Sequence, residues 1–179
     1  PSVNYLSNYI QKHNINTIYL APEGEGMAIG SVQVFVRYQG CAVGCVNCDS
    51  RQTWDFADKN TYTTETLLHE IESYNIKRVS ITGGDPLHPK NEGGVLELVT
   101  ELKNRGYTIN LEASGTRIIP AIFDQVDLLS FDVKTPSTQV RSSFDLLGEV
   151  FFKYGNKKGQ HLSIRRPVDS SSSLMKFIT

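Results

Sequence analysis

The chain has little that points to the outside of a cell or to a polymeric partner. Among its 179 residues there are only three cysteines, all between positions 41 and 48. An odd, clustered set of thiols is a poor disulfide framework, so reduced thiols are expected. No apolar run approaches the ~20 residues that cross a bilayer, and the first residues lack a basic start followed by an apolar stretch. The sequence therefore reads as cytoplasmic, with no membrane partner. An excess of one charge is lacking too: 18 basic against 19 acidic residues leave no electrostatic footprint for nucleic acid. A small ligand fits better. Pro1 stands in place of a methionine and Thr179 closes the chain abruptly, so completeness at either end stays open.

What is present is enough for one core: with 39% apolar residues, positions 1–179 read as a single domain. Thr17 to Leu20 and Val32 to Arg37 are rich in β-branched and aromatic residues and predict strands, separated by the glycine-bearing loop Pro22 to Gly30. Apolar residues at Leu67, Leu68, Ile71 and Tyr74 predict a helix from Thr64 to about Asn75. Arg78 to Thr82 predicts a strand, Val95 to Leu102 a helix closed by Gly106, and Thr108 to Leu111 the next strand. A short helix over Ile118 to Phe123 and a strand over Val126 to Val133 follow. Phe144 to Tyr154 is plausible as a helix, Pro167 to Leu174 is rich in serine, and Met175 to Ile178 suits the start of a strand. Alternation of this kind implies parallel strands whose carboxyl ends share one face, where ligands bind in α/β folds. The cysteines, Gly83 to Pro86, Glu112 to Thr116 and Lys134 to Ser137 all follow strands, so they are expected on that face.

Cys41-x-x-x-Cys45-x-x-Cys48 puts three thiolates on one loop, a spacing suited to adjacent corners of a cubane [4Fe-4S] cluster. A structural zinc would want a fourth protein ligand, and His88 is far away in sequence; zinc or incidental buried thiols are the alternatives. Three ligands leave one iron open to chelate the amino and carboxylate groups of S-adenosylmethionine, whose sulfonium then lies where an electron can cleave its carbon–sulfur bond. Gly83-Gly84-Asp85-Pro86 reads either as a packing turn or as bare backbone for a cofactor, with Asp85 accepting from the methionine ammonium.

These residues resemble the radical S-adenosylmethionine superfamily, and within it the 7-carboxy-7-deazaguanine synthases of queuosine and deazapurine biosynthesis. Gly24-Glu25-Gly26 resembles that family's Gly-Glu-Gly loop, Phe35-Val36-Arg37 with Gly40-Cys41 its entry to the cluster, and Cys48-Asp49-Ser50 its Cys-Asp-Thr or Cys-Asp-Ser ending. Gly83-Gly84-Asp85-Pro86 stands for Gly-Gly-Glu-Pro, with an acid one methylene shorter. Glu112-Ala113-Ser114-Gly115-Thr116 is similar to Glu-Thr-Asn-Gly-Thr, and Asp132-Val133-Lys134-Thr135-Pro136-Ser137 to Asp-Ile-Lys-x-Pro-Ser. The likeness runs from about Leu20 to Ser137.

The resemblance implies an α/β fold, a partial (β/α) barrel of the radical S-adenosylmethionine type, with incompleteness at the C-terminus left open. It implies rearrangement of 6-carboxy-5,6,7,8-tetrahydropterin to 7-carboxy-7-deazaguanine with loss of ammonia. The cluster would sit on Cys41, Cys45 and Cys48, with Gly83, Gly84, Asp85, Ser114, Lys134 and Asn47 toward the cofactor. Glu25, Gly26, Arg37, Glu112 and Pro136 would face substrate, and Ser50 would help to hold Mg2+. Arginine matches a carboxylate by a two-pronged hydrogen bond, and a carboxylate accepts from a guanidine-like ring edge. Each also has a plainer reading: Glu25 and Arg37 as an ion pair, Ser50 as a turn residue, Lys134 as a solvated lysine. An electron donor such as flavodoxin and a homodimer belong to the same expectation. The competing functions are a glycyl-radical activating enzyme, which shares the cysteine spacing, and a truncated cluster-binding module without catalysis.

Overall fold

A computed structural model of the chain describes residues 11–165. Its strands are β1 (Lys12–Pro22), β2 (Val32–Tyr38), β3 (Asn60–Thr63), β4 (Arg78–Gly83), β5 (Thr108–Ala113), β6 (Leu128–Asp132) and β7 (His161–Arg165). Its helices are α1 (Thr64–Ser73), α2 (Pro89–Asn104), α3 (Pro120–Phe123) and α4 (Phe144–Tyr154). One sheet runs in the order β3-β1-β2-β4-β5-β6-β7. The five strands β2, β4, β5, β6 and β7 are parallel neighbours. Among the described residues the sheet does not close on itself, so the architecture is a partial (β/α) barrel.

Alternation along the strands explains why the sheet has two unlike faces. Val34, Val36 and Tyr38 of β2, Val79 and Ile81 of β4, Ile109 and Leu111 of β5, and Leu129 and Phe131 of β6 are all buried in the apolar core. They pack with Leu67, Leu68 and Ile71 of α1, Leu98 and Leu102 of α2, and Val150 and Tyr154 of α4. Apart from Phe35 and Leu128, the intervening residues, which point the other way, are polar: Gln33 and Arg37, Ser80 and Thr82, Asn110 and Glu112, Ser130 and Asp132, Ser163 and Arg165. Helix starts are fixed locally. The Thr63 hydroxyl accepts from the Thr66 amide while the Thr66 hydroxyl accepts from the Thr63 amide, and Ser143 accepts from the Leu146 amide.

Three expectations change. First, β1 is antiparallel to both β2 and β3, so the parallel rule holds only from β2 onward. The connection from β1 to β2 is too short for a crossover helix and turns back as a hairpin. Second, β1 begins at Lys12 rather than Thr17 because Lys12 to Ile15 pair with the polar strand β3, which local patterning missed. Third, α2 begins at Pro89, with His88 as its cap, well before Val95. The fixed φ of a proline suits a first helical turn, where no apolar pattern is needed. Strand β7 was also missed, while α4 spans the expected residues. The expectations for Pro167 to Leu174 and Met175 to Ile178 lie outside the described residues.

Candidate functional site

The cysteines lie in the excursion between β2 and β3, which is tied down at both ends. The Gly40 amide donates to the Thr53 carbonyl at 2.7 Å and the Cys41 amide to the Trp54 carbonyl at 3.2 Å. Buried Gln39 donates to the Asp55 carbonyl and side chain, closing the neck of the loop. The far side is held by the Val46 amide, which donates to the Thr138 carbonyl beyond β6. All three thiols are free and half-buried. Cys48 Sγ accepts from the Ser50 amide and the Trp54 indole, both at 3.3 Å, and Cys41 Sγ accepts from the Val43 amide at 3.5 Å. Burial pushes the Cys41 and Cys45 thiols up, with Lys134 opposing it at Cys45.

Three partly exposed thiols on one anchored loop, with N–H donors already aimed at two sulfurs, fit a cluster held at three corners. Among the described residues no group of His, Cys, Asp and Glu gathers tightly enough to cage a single ion.

The Gly83-Gly84-Asp85 turn packs against this loop. A Cβ on Gly84 would lie 2.5 Å from the Gly40 carbonyl oxygen and 2.9 Å from Cys41 Cβ. The close approach is therefore between the two loops themselves. Asp85 is buried, and its carboxylate accepts from the Leu87 amide at 3.1 Å while its own amide donates to Gly40. Burial raises the Asp85 carboxyl above its ordinary range. Ser114 is buried and shares a hydrogen bond with the Thr116 hydroxyl.

Beside the cysteine loop, at the carboxyl ends of the parallel strands, opens a cleft of about 480 Å³. It brings together Glu25, Arg37, Ser50, Gly83 and Glu112 of the residues expected from sequence. Arg37 donates to Ser50 Oγ at 2.8 Å and to the Tyr19 hydroxyl at 2.9 Å, and Ser50 donates to Asp49 at 2.9 Å. The Tyr19 ring stacks on Phe35 with centroids 5.1 Å apart, giving the cleft a flat aromatic wall. Glu112 accepts from Thr82 at 2.7 Å and Ser80 at 3.2 Å.

Other expected residues are not on that cleft. Lys134 pairs with Asp132 at 2.6 Å and, with Pro136, borders a second cleft of about 360 Å³. Burial works against the Lys134 charge, but Asp132 outweighs it and raises the lysine pKa. Gly26 sits in the turn Gly26–Ala28 facing Ser130 and Ser163, and Asn47 is exposed on the cysteine loop.

Two residues of the site were missed. Arg165, at the end of β7, lies 3.0 Å from Glu25, 3.6 Å from Glu112 and 3.1 Å from Asp132. Burial disfavours its charge, yet these carboxylates together raise its pKa further. Glu23 is buried. One of its oxygens accepts from the amides of Gly24 at 3.0 Å and Glu25 at 3.2 Å, the other from Gln33 and, at 3.1 Å, from Asn110. The signal for Arg165 was in the sequence: Ser163-x-Arg165 repeats the inward polar pair of Ser80-x-Thr82, Asn110-x-Glu112 and Ser130-x-Asp132.

A family model described as a 4Fe-4S single cluster domain matches residues 23–132, more than half of the chain. The chain is similar to 7-carboxy-7-deazaguanine synthase of Hyperthermus butylicus, with 30% identity over 159 residues, 81% of this chain and 66% of that protein. It is 30% identical to the Aquifex aeolicus synthase over 115 residues, 62% of this chain and 51% of that one. The Buchnera aphidicola synthase is 26% identical over 91% of this chain and 88% of its own length. Measured against the first two of these relatives, the chain spans between half and two thirds of their length. In fold it is similar to the crystal structure of QueE from Escherichia coli, with a TM-score of 0.61 and 21% identity over 93% of this chain and 92% of that one.

Proposed function

The chain belongs to the family of 4Fe-4S single cluster domains, and from that premise we propose that it is a radical S-adenosylmethionine lyase that makes 7-carboxy-7-deazaguanine from 6-carboxy-5,6,7,8-tetrahydropterin. The observation that carries this reading is the meeting of Glu25, Arg37 and Glu112 in one cleft beside the three-cysteine loop. Cys41, Cys45 and Cys48 would hold the cluster, on a loop tied at Val46 to the Thr138 carbonyl. Such a cluster with S-adenosylmethionine would supply one-electron chemistry for hydrogen abstraction.

The protein's own residues do the rest. A cleft of about 480 Å³ is in the range that encloses a small heterocycle. The Tyr19 and Phe35 rings offer a flat surface to a fused ring. The Arg37 fork, now spent on Ser50 and Tyr19, suits a substrate carboxylate in two-pronged contact. Glu25 accepts from the aminopyrimidine edge. Burial raises its carboxyl above the ordinary range, and Arg165 partly offsets that.

Mg2+ belongs to the proposal at Ser50. Its hydroxyl accepts one bond and donates one, which leaves one lone pair free, and Asp49 is adjacent. Among the cleft-lining residues Glu23, Glu25, Asp49 and Glu112 outnumber Arg37 and Arg165, a balance that favours a cationic guest. A flavodoxin-type donor, a homodimer and a cytoplasmic setting go with the same reading.

The test is anaerobic reconstitution followed by incubation with the carboxytetrahydropterin, S-adenosylmethionine, reductant and Mg2+. Mass spectrometry should find 7-carboxy-7-deazaguanine and ammonia. A protein that holds the cluster, cleaves S-adenosylmethionine and leaves the pterin untouched would defeat the assignment of substrate.

A further inference from the structure

We propose that Trp54 sets the reduction potential of the cluster by donating a hydrogen bond to the Cys48 sulfur. The inference rests on the cluster reading above and adds a role for a residue outside the cysteine motif. The indole Nε1 lies 3.3 Å from Cys48 Sγ. Indole N–H is a donor with no acceptor capacity, so that contact has a single polarity. The ring is held in register by its own backbone: the Trp54 carbonyl accepts from the Cys41 amide at 3.2 Å, and its amide donates to the Arg51 carbonyl at 3.1 Å. One residue thus grips the first cysteine through the main chain and the third through the side chain. The Arg51 guanidinium lies over the indole at 5.5 Å from its centroid, and Arg51 also donates to the Val46 carbonyl within the loop. A cation on the ring face draws electron density from the indole and strengthens its N–H as a donor.

The direction of the effect follows from charge. A cluster that gains an electron becomes more negative, so a donor on its thiolate stabilises the reduced form more than the oxidised one and raises the potential. Cys48 receives two such donors, the Ser50 amide and Trp54, and only the second can be removed without touching the main chain. Sulfur hydrogen bonding thereby favours the electron uptake on which cleavage of S-adenosylmethionine depends.

The experiment compares the full chain with its Trp54→Phe variant, which keeps an aromatic ring and loses the N–H. Iron and sulfide are measured first in both. Wild-type protein without a cluster would sink the proposed function and this inference together. With both loaded, potentiometric titration followed by electron paramagnetic resonance should find the variant's midpoint shifted to a more negative value. Equal midpoints would overturn the role of Trp54 and leave the proposed function intact. Trp54 is the single tryptophan in the chain, so an independent reading needs no variant. Labelling tryptophan with indole nitrogen-15 should give a hyperfine coupling to the reduced wild-type cluster. If the variant fails to load, the absence of that coupling overturns the inference and its presence upholds it.

Discussion

Arg165 at the end of β7 and Glu25 in the loop after β1 meet at 3.0 Å, joining the last described strand to the first. The same guanidinium also reaches Asp132 and Glu112, and its side chain is only 10% exposed. A single cation therefore holds three carboxylates, two of which line the cleft.

Replacing it should cost both fold and function. Arg165→Ala leaves those carboxylates without their shared partner, a loss of roughly 3 kcal/mol for a buried network broken on one side. Urea unfolding should register the fall in stability, and product formation should be lost even in protein loaded with iron. A variant with wild-type stability and turnover would mean the contacts are idle.

Glu23 makes a second prediction, through its polarity. Its carboxylate is surrounded by four donors, so Glu23→Gln turns an amide N–H toward those of Gln33 and Asn110. The expected cost is about 1–3 kcal/mol for an unsatisfied buried donor. Because Glu23 fixes the Gly24 and Glu25 backbone, KM should rise while iron content stays the same. An unchanged KM would show that Glu25 does not depend on this support.

Gly84→Ala tests the contact between the two loops. The new methyl would fall within 2.5 Å of the Gly40 carbonyl, at the start of the cysteine loop. Overpacking of this kind costs about 1–3 kcal/mol, and the strain falls on Cys41. Iron incorporation should drop well below the wild-type level while circular dichroism still reports a folded protein; full iron loading would refute the coupling.

His13 gives the fold a dependence on pH. It is fully buried between the Tyr38 and Thr64 hydroxyls, at 2.8 and 2.9 Å, and burial lowers its pKa from 6.5 to about 4. The unfolded chain takes up this proton near pH 6.5 and the folded chain only near pH 4. Stability from this group is thus complete above pH 6.5 and falls as pH drops toward 4, by at most about 3 kcal/mol. Glu23, Glu25 and Asp85 have raised pKa values and act with the opposite sign. The difference between wild type and His13→Gln isolates the histidine. That difference should shrink on acidification between pH 6.5 and 4, and a flat difference would count against the assignment.

Much of this was legible in the sequence because the barrel strands carry a period of two with unusually consistent polarity. The runs RVSITG and TINLEA place polar groups on one face and aliphatic groups on the other, and LLSFD joins the same pattern from Leu129 onward, with Ser130 and Asp132 opposite Leu129 and Phe131. The cysteine spacing singled out a loop that the structure anchors at both ends, and Glu25, Arg37, Ser50 and Glu112 do meet in one cleft. Non-local pairing was what sequence could not supply. Asn60–Thr63 has no apolar pattern and becomes a strand only by pairing with Lys12 to Ile15. Asp85 read as open to a ligand, and only the packed structure reveals its bond to the Leu87 amide. Arg165 lay past the point where motifs faded, although its strand repeats the pattern of its neighbours.

The two faces of the sheet answer to different demands. The apolar burial lies in the hydrocarbon slab between strands and helices, while the polar wall opposite is held by its own hydrogen bonds and ion pairs. Outside the networks of Arg165 and Glu23, that wall can be rewritten one inward side chain at a time with the slab left untouched. A scaffold divided in this way offers engineers a surface for accepting new heterocycles without first having to rescue the protein from collapse.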